Sequence, residues 1–132
     1  MILVDSSVWI DYFRGCVTDE VELLDRLLGV EPLLTGDLIL VEVLQGFDKD
    51  TDYQTAYELL TSFEIVTLGG REIAIHAAEN YRSLRRIGIT VRKTIDTIIA
   101  TKCIQSGYSL LHSDRDFDAF SELLGLQVVA AI

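Results

Sequence analysis

Four acidic side chains stand in contexts that suit chemistry better than solvation. Asp5 directly follows the apolar run Ile2-Leu3-Val4, and Asp114 follows a second in Leu110-Leu111-His112-Ser113-Asp114, so two strand ends present carboxylates. Glu42 lies in Leu38-Ile39-Leu40-Val41-Glu42-Val43-Leu44, a segment that reads as a buried helix, apolar all the way round. At ~100° per residue its side chain projects between Leu38 and Ile39. Asp96, in Ile95-Asp96-Thr97-Ile98-Ile99-Ala100, projects within about 20° of Cys103 and about 40° of Ala100. An ionised carboxylate in such surroundings needs a cation, a hydrogen-bond network or a proton. Any one of these acids has an ordinary explanation: an N-cap for Asp5, a structural ion pair with arginine for Glu42 or Asp96. Two acids facing a core and two more at strand ends are better explained by a shared cation that offsets their repulsion.

Ligand chemistry narrows that cation. The two cysteines, Cys16 and Cys103, lie far apart, and with His76 and His112 they form no zinc spacing. A site of carboxylates is hard and rich in oxygen, which suits Mg²⁺ or Mn²⁺, and no calcium loop is present. The acid count suits two ions ~3.5–4 Å apart, an arrangement that activates water and stabilises a departing oxygen in phosphodiester cleavage. The hydroxyls of Ser6 and Ser113, each beside a strand-end acid, are placed to hold a carboxylate or a bound water, or to cap locally. His112 sits in an apolar run whose alternation turns it away from the site, as a core or supporting histidine and not a base.

Positioning these groups falls to short apolar runs that alternate with longer amphipathic ones. Strands are expected at Met1–Val4, Pro32–Thr35, Glu64–Leu68, Ser109–His112 and Gln127–Ala130. Helices are expected at Ser7–Arg14, Glu20–Leu28 with Asp19 and Glu22 as a capping box, Asp37–Gln45, Thr51–Phe63, Arg71–Arg86, Ile95–Ser106 and Asp116–Leu124. Helices separate every pair of strands. That order implies an α/β fold with three α/β/α layers around a mainly parallel sheet of about five strands, its ligands at the carboxyl ends of the strands. Trp9, Ile10, Tyr12 and Phe13 read as core or as a protein interface. The glycine pair at Gly69-Gly70 and Gly107 read as turns.

The 132 residues make one domain, 1–132, with 49% hydrophobic residues to fill its core. No signal-peptide pattern or membrane span is read, so a cytoplasmic protein with two reduced thiols is expected. The formal charge is −10 and is unevenly spread. Residues 1–66 hold 14 acidic and 3 basic side chains, whereas residues 67–132 hold 7 and 8. The basic excess gathers at Arg82, Arg85, Arg86, Arg92, Lys93 and Lys102, a stretch suited to guiding a phosphate backbone. Nucleotide cofactors have no glycine-rich motif.

Taken in order, these strings resemble a family. Ile2-Leu3-Val4-Asp5-Ser6-Ser7-Val8-Trp9-Ile10-Asp11-Tyr12-Phe13, Leu40-Val41-Glu42-Val43-Leu44-Gln45-Gly46, Ile95-Asp96-Thr97-Ile98-Ile99-Ala100 and Leu110-Leu111-His112-Ser113-Asp114-Arg115-Asp116-Phe117 are similar to the four motifs of PIN-domain ribonucleases, in particular VapC-type toxins of toxin–antitoxin pairs. The resemblance spans nearly the whole chain. It implies catalytic or metal-binding roles for Asp5, Glu42, Asp96 and Asp114, with Asp116 less fixed because the last motif varies. It further implies Mg²⁺- or Mn²⁺-dependent endonucleolytic cleavage of RNA, with transfer RNA as the first substrate class. A homodimer and a small VapB-like antitoxin that blocks the acidic groove, with a basic side chain among the carboxylates, follow from the same resemblance. The rival readings are a noncatalytic RNA- or protein-binding module of the same fold, and a phosphohydrolase with Asp5 as nucleophile. The latter is weakened by Ser7 standing where a second acid is expected.

Overall fold

Apolar strands too short to be stable alone reach stability by stacking side by side, and here five of them form one sheet. The computed structural model describes residues 1–130. The strands are β1 (Ile2–Val4), β2 (Leu33–Gly36), β3 (Glu64–Val66), β4 (Ser109–Leu111) and β5 (Gln127–Val128). Their order is β3-β2-β1-β4-β5, and every neighbouring pair is parallel. Leu3 of β1 stands opposite Leu34 on one side and Leu110 on the other. All three are buried, with Val4, Leu33 and Leu111, as expected for parallel strands covered on both faces.

Seven helices connect them: α1 (Ser6–Phe13), α2 (Asp19–Leu27), α3 (Asp37–Leu44), α4 (Asp50–Thr61), α5 (Arg71–Arg86), α6 (Thr94–Ser106) and α7 (Asp118–Leu123). The chain lays β2 and β3 to one side of β1, then crosses back to place β4 and β5 on the other side. With right-handed crossovers, that reversal puts α1–α4 on one face of the sheet and α5–α7 on the opposite face. Packing follows the same division: α1 touches α2 and α3, α3 touches α4, and α5 lies along α6. The Trp9 ring is fully buried, stacked on Phe13 at 5.8 Å and bordered by Tyr12 and Phe63. No helix among the described residues is long and apolar enough to cross a membrane.

The expected parallel sheet of about five strands is present, with every neighbouring pair parallel. Three expectations are corrected. The cap of α2 is Thr18, in extended backbone, whose Oγ1 accepts from the Val21 N–H at 3.1 Å. Asp19 and Glu22 instead lie inside the first turn, where they complement the helix dipole. The expected helix Asp116–Leu124 divides into a 3₁₀ turn, Arg115–Phe117, and α7, because Asp114 and not Asp116 caps the turn. Finally, α3 is not buried all round. Ile39 and Val43, one turn apart, form its buried stripe, and Val41 is 57% exposed. Apolar composition counted side chains without knowing that only one flank of α3 meets the sheet.

A candidate acidic active site

In a doubly wound sheet the crevice opens where strand order reverses, and here that point lies between β1 and β4. Asp5 is the residue after β1. Its N–H donates to the Leu111 carbonyl at 2.9 Å, extending the β1–β4 pairing into the loop, so Asp5 lies beside the end of β4. Its Oδ2 accepts from the Ser7 N–H at 3.0 Å and the Ser7 hydroxyl at 2.6 Å, so Asp5 is also the N-cap of α1. Capping occupies only that oxygen. Oδ1 is buried and accepts no hydrogen bond.

The other acids converge on the same edge. Asp96, in the first turn of α6, is 3% exposed. Asp114 and Asp116 lie in the loop and 3₁₀ turn after β4, and ligand oxygens of Asp96, Asp114 and Asp116 lie within 4.8 Å of one another. Asp96 Oδ2 and Asp116 Oδ2 are buried without a hydrogen-bond partner. Glu42 stands half-buried on α3, its Oε1 accepting from the Ser6 hydroxyl at 3.0 Å. It borders a cleft of about 330 Å³ walled by Ile10, Phe13, Val43 and Phe47. Ser6 thus bonds Glu42 and not the adjacent Asp5. Ser113 is exposed, and its backbone N–H donates to Ser7 Oγ at 3.1 Å.

These carboxyls feel one another. Burial pushes Asp5 and Glu42 above the usual carboxylate range; hydrogen bonds from Ser7 and Ser6 oppose it, and neighbouring acids add to it. Asp96 is pushed up to about 7, by burial first and by Asp5 and Asp114 besides, against the pull of Lys93. Burial also acts to raise Asp114, but the Lys93 ammonium and the Asp116 N–H outweigh it and hold this group low. His112 follows the end of β4, stacks on Phe117 at 4.8 Å, and accepts the Asp114 N–H on Nδ1 at 3.2 Å. Burial lowers its pKa, so the imidazole is a neutral brace for the Asp114 loop.

Two contributors escaped the sequence reading. Ser7 ties the ends of β1 and β4 together, donating to Asp5 and accepting from Ser113. The Asp-x-Ser spacing after a strand was the available signal. Lys93 was grouped with residues that guide a phosphate backbone, yet its ammonium lies 2.7 Å from Asp114 Oδ2 and 3.5 Å from Asp96 Oδ2. Arg92 likewise lies 3.4 Å from Asp116 Oδ1. The i, i+3 offset from Lys93 to Asp96 was the visible hint. Of the remaining basic side chains, Arg82 and Arg85 line a cavity of about 510 Å³ between α5 and α6 that no acid lines.

Buried oxygens of Asp5 and Asp116 that accept no hydrogen bond, beside an Asp96 oxygen met only by the Lys93 ammonium at 3.5 Å, in a set whose acceptors are all carboxylates, fit a hard divalent cation. The comparisons agree with this architecture. The family model for the PIN domain matches residues 2–123. Ribonuclease VapC11 of Mycobacterium tuberculosis is 32% identical over 132 residues, covering 98% of each chain. Among solved structures, VapBC2 from Rickettsia felis, bound to a DNA fragment from its promoter, superposes with a TM-score of 0.74 at 16% identity and 98% coverage of both chains. Mycobacterium tuberculosis VapC20, a sarcin–ricin-loop-cleaving toxin, gives 0.68 at 18% identity, covering 90% of this chain and 94% of that one. With a family model spanning nearly all of it, a relative alike from end to end, and its acids gathered at the switch point, the chain belongs to the PIN-domain family, in its VapC group.

Proposed function

We propose that this single domain, residues 1–132, is the toxin of a type II toxin–antitoxin pair and a divalent-ion-dependent endoribonuclease. The observation that carries the reading is the set of buried carboxylate oxygens at the β1–β4 switch point that accept no hydrogen bond. Asp5, Asp96 and Asp114 would hold Mg²⁺ or Mn²⁺, with Asp116 at the margin. When bound, such an ion supplies Lewis acidity that makes water a better nucleophile and offsets charge at the scissile phosphate. The chain's own residues do the rest. Glu42, held by Ser6 and kept basic by burial and by its carboxylate neighbours, orients the attacking water and takes its proton. Ser7 fixes Asp5 with one oxygen turned to the crevice, and His112 fixes the loop that carries Asp114. Arg82 and Arg85 lie on the α5–α6 face, where they would steady the phosphate backbone.

The retained acids make a noncatalytic binding module the weaker reading. Transfer RNA is the proposed substrate, with ribosomal RNA the next class; one fold neighbour is a sarcin–ricin-loop-cleaving toxin. A VapB-like antitoxin, a homodimer and a cytoplasmic location complete the proposal; the neighbours that are complexes with antitoxins support the first of these. The test is cleavage of RNA oligomers and of total transfer RNA with Mg²⁺, with Mn²⁺ and with EDTA. Cutting that needs the ion and disappears in Asp5→Asn supports the reading. Cutting in EDTA at an equal rate, or binding without cutting under every condition, refutes it.

A further inference from the structure

A cluster of carboxylates that awaits a cation must be held together when none is bound, because like charges at these separations repel. The described residues contain a device for this. Lys93 ends the segment before α6, and its ammonium reaches across to bond Asp114 at 2.7 Å while touching Asp96 at 3.5 Å. It bridges two elements, α6 and the loop after β4. The oxygens it approaches belong to two of the three carboxylates whose ligand atoms lie within 4.8 Å of one another. The Lys93 side chain is 55% exposed, so its stem is free to swing toward solvent without disturbing the core.

We propose that Lys93 is a tethered counter-ion, a positioning residue that occupies the Asp96–Asp114 oxygens in the ion-free protein and must yield them when a divalent cation binds. The inference rests on the ion-dependent reading above. Lys93 thereby sets the ion affinity: it preserves the arrangement of the carboxylates at the cost of competing for them. Arg92 on Asp116 is a weaker partner, at 3.4 Å and with a side chain 80% exposed.

The experiment is titration calorimetry of the EDTA-stripped protein with MnCl₂, without RNA, for the parent chain, Lys93→Met and Lys102→Met. Lys102, also on α6, makes no ion pair among the described residues and removes an equal charge. Lys93→Met is expected to bind Mn²⁺ roughly three- to tenfold more tightly than the parent, the range for a lost charge-assisted competitor. Lys102→Met should stay within about twofold, the effect of net charge alone at screened distance. Thermal unfolding gives the second readout: Lys93→Met melts below the parent in EDTA and level with it at saturating Mn²⁺. Equal or weaker Mn²⁺ binding by Lys93→Met, with the parent binding normally, overturns the counter-ion role. Absence of Mn²⁺ uptake by all three chains overturns instead the ion site on which the role depends.

Discussion

Replacing Asp96 by Asn should stabilise the ion-free protein while abolishing its proposed activity, and the gain should depend on pH in a defined way. Asp96 is 3% exposed, and burial first of all pushes its carboxyl up to about 7 from the ordinary 3.8. Its folded pKa is raised, so its contribution is present below the unfolded pKa and is lost as pH climbs through about 7. Three units at 1.36 kcal/mol each amount to about 4 kcal/mol of destabilisation at alkaline pH that Asn does not carry. Between about pH 5 and pH 8 the folded carboxyl gives up its proton while the unfolded one has already done so. The stability gap between Asp96→Asn and the parent should therefore widen by about 3 kcal/mol across that range. His112, with a lowered folded pKa, acts in the opposite sense below its unfolded value, but both chains carry it and the difference cancels it. Urea unfolding in EDTA at several pH values measures the gap. At a slope of ~2 kcal/mol/M, the midpoints should separate by about 1.5 M more at pH 8 than at pH 5. Saturation with Mn²⁺ should restore the parent by about 2.7 kcal/mol at one hundred times its dissociation constant, and restore Asp96→Asn far less. A gap that stays constant from pH 5 to 8 would refute the claim that desolvation of Asp96 loads this site.

Other perturbations test the supports. Ser7→Ala removes the link between the ends of β1 and β4 and the second donor to Asp5; a stability loss of ~1–2 kcal/mol by urea unfolding, with RNA cleavage lowered about tenfold, is expected. Ser6→Ala frees Glu42 and should lower the cleavage rate at unchanged Mn²⁺ affinity, read by single-turnover kinetics beside calorimetry. Gly36→Ala drives a methyl into the Leu68 side chain at the β2–α3 junction and should cost ~1–3 kcal/mol, again by urea unfolding. Cys103 is buried, and that burial pushes its thiol up to about 12, whereas Cys16 is exposed; a thiol-reactive dye should label the native protein on Cys16 at once and on Cys103 only after unfolding.

Much of the site was legible because burying a carboxylate is costly enough to leave a trace in one dimension. Asp5 and Asp114 could be placed at strand ends from apolar runs alone, and Asp96 from a helical wheel that put it beside Cys103 and Ala100, both fully buried. Glu42 was recognised for a reason only partly right: α3 exposes Val41, yet the glutamate still faces the cleft and is held by Ser6. Strand and helix order was readable from periodicity, with ends displaced by a residue or two where capping decides. Thr18 displaced Asp19 as the cap of α2 because backbone geometry, not side-chain type, selects among neighbouring capping residues.

What the amino-acid order determined by itself was local: which segments coil or extend, and which acids are set among apolar neighbours in a pattern that suits a hard cation. Tertiary structure decided what lies across space. The β3-β2-β1-β4-β5 order puts the switch point between β1 and β4, and so brings Asp5 to Asp114. It also carries Lys93 away from the phosphate-guiding group and onto Asp96 and Asp114. Hydrophobic periodicity records how each segment meets a core, whereas the partner of a long, flexible, charged side chain depends on which distant element the fold sets within its reach.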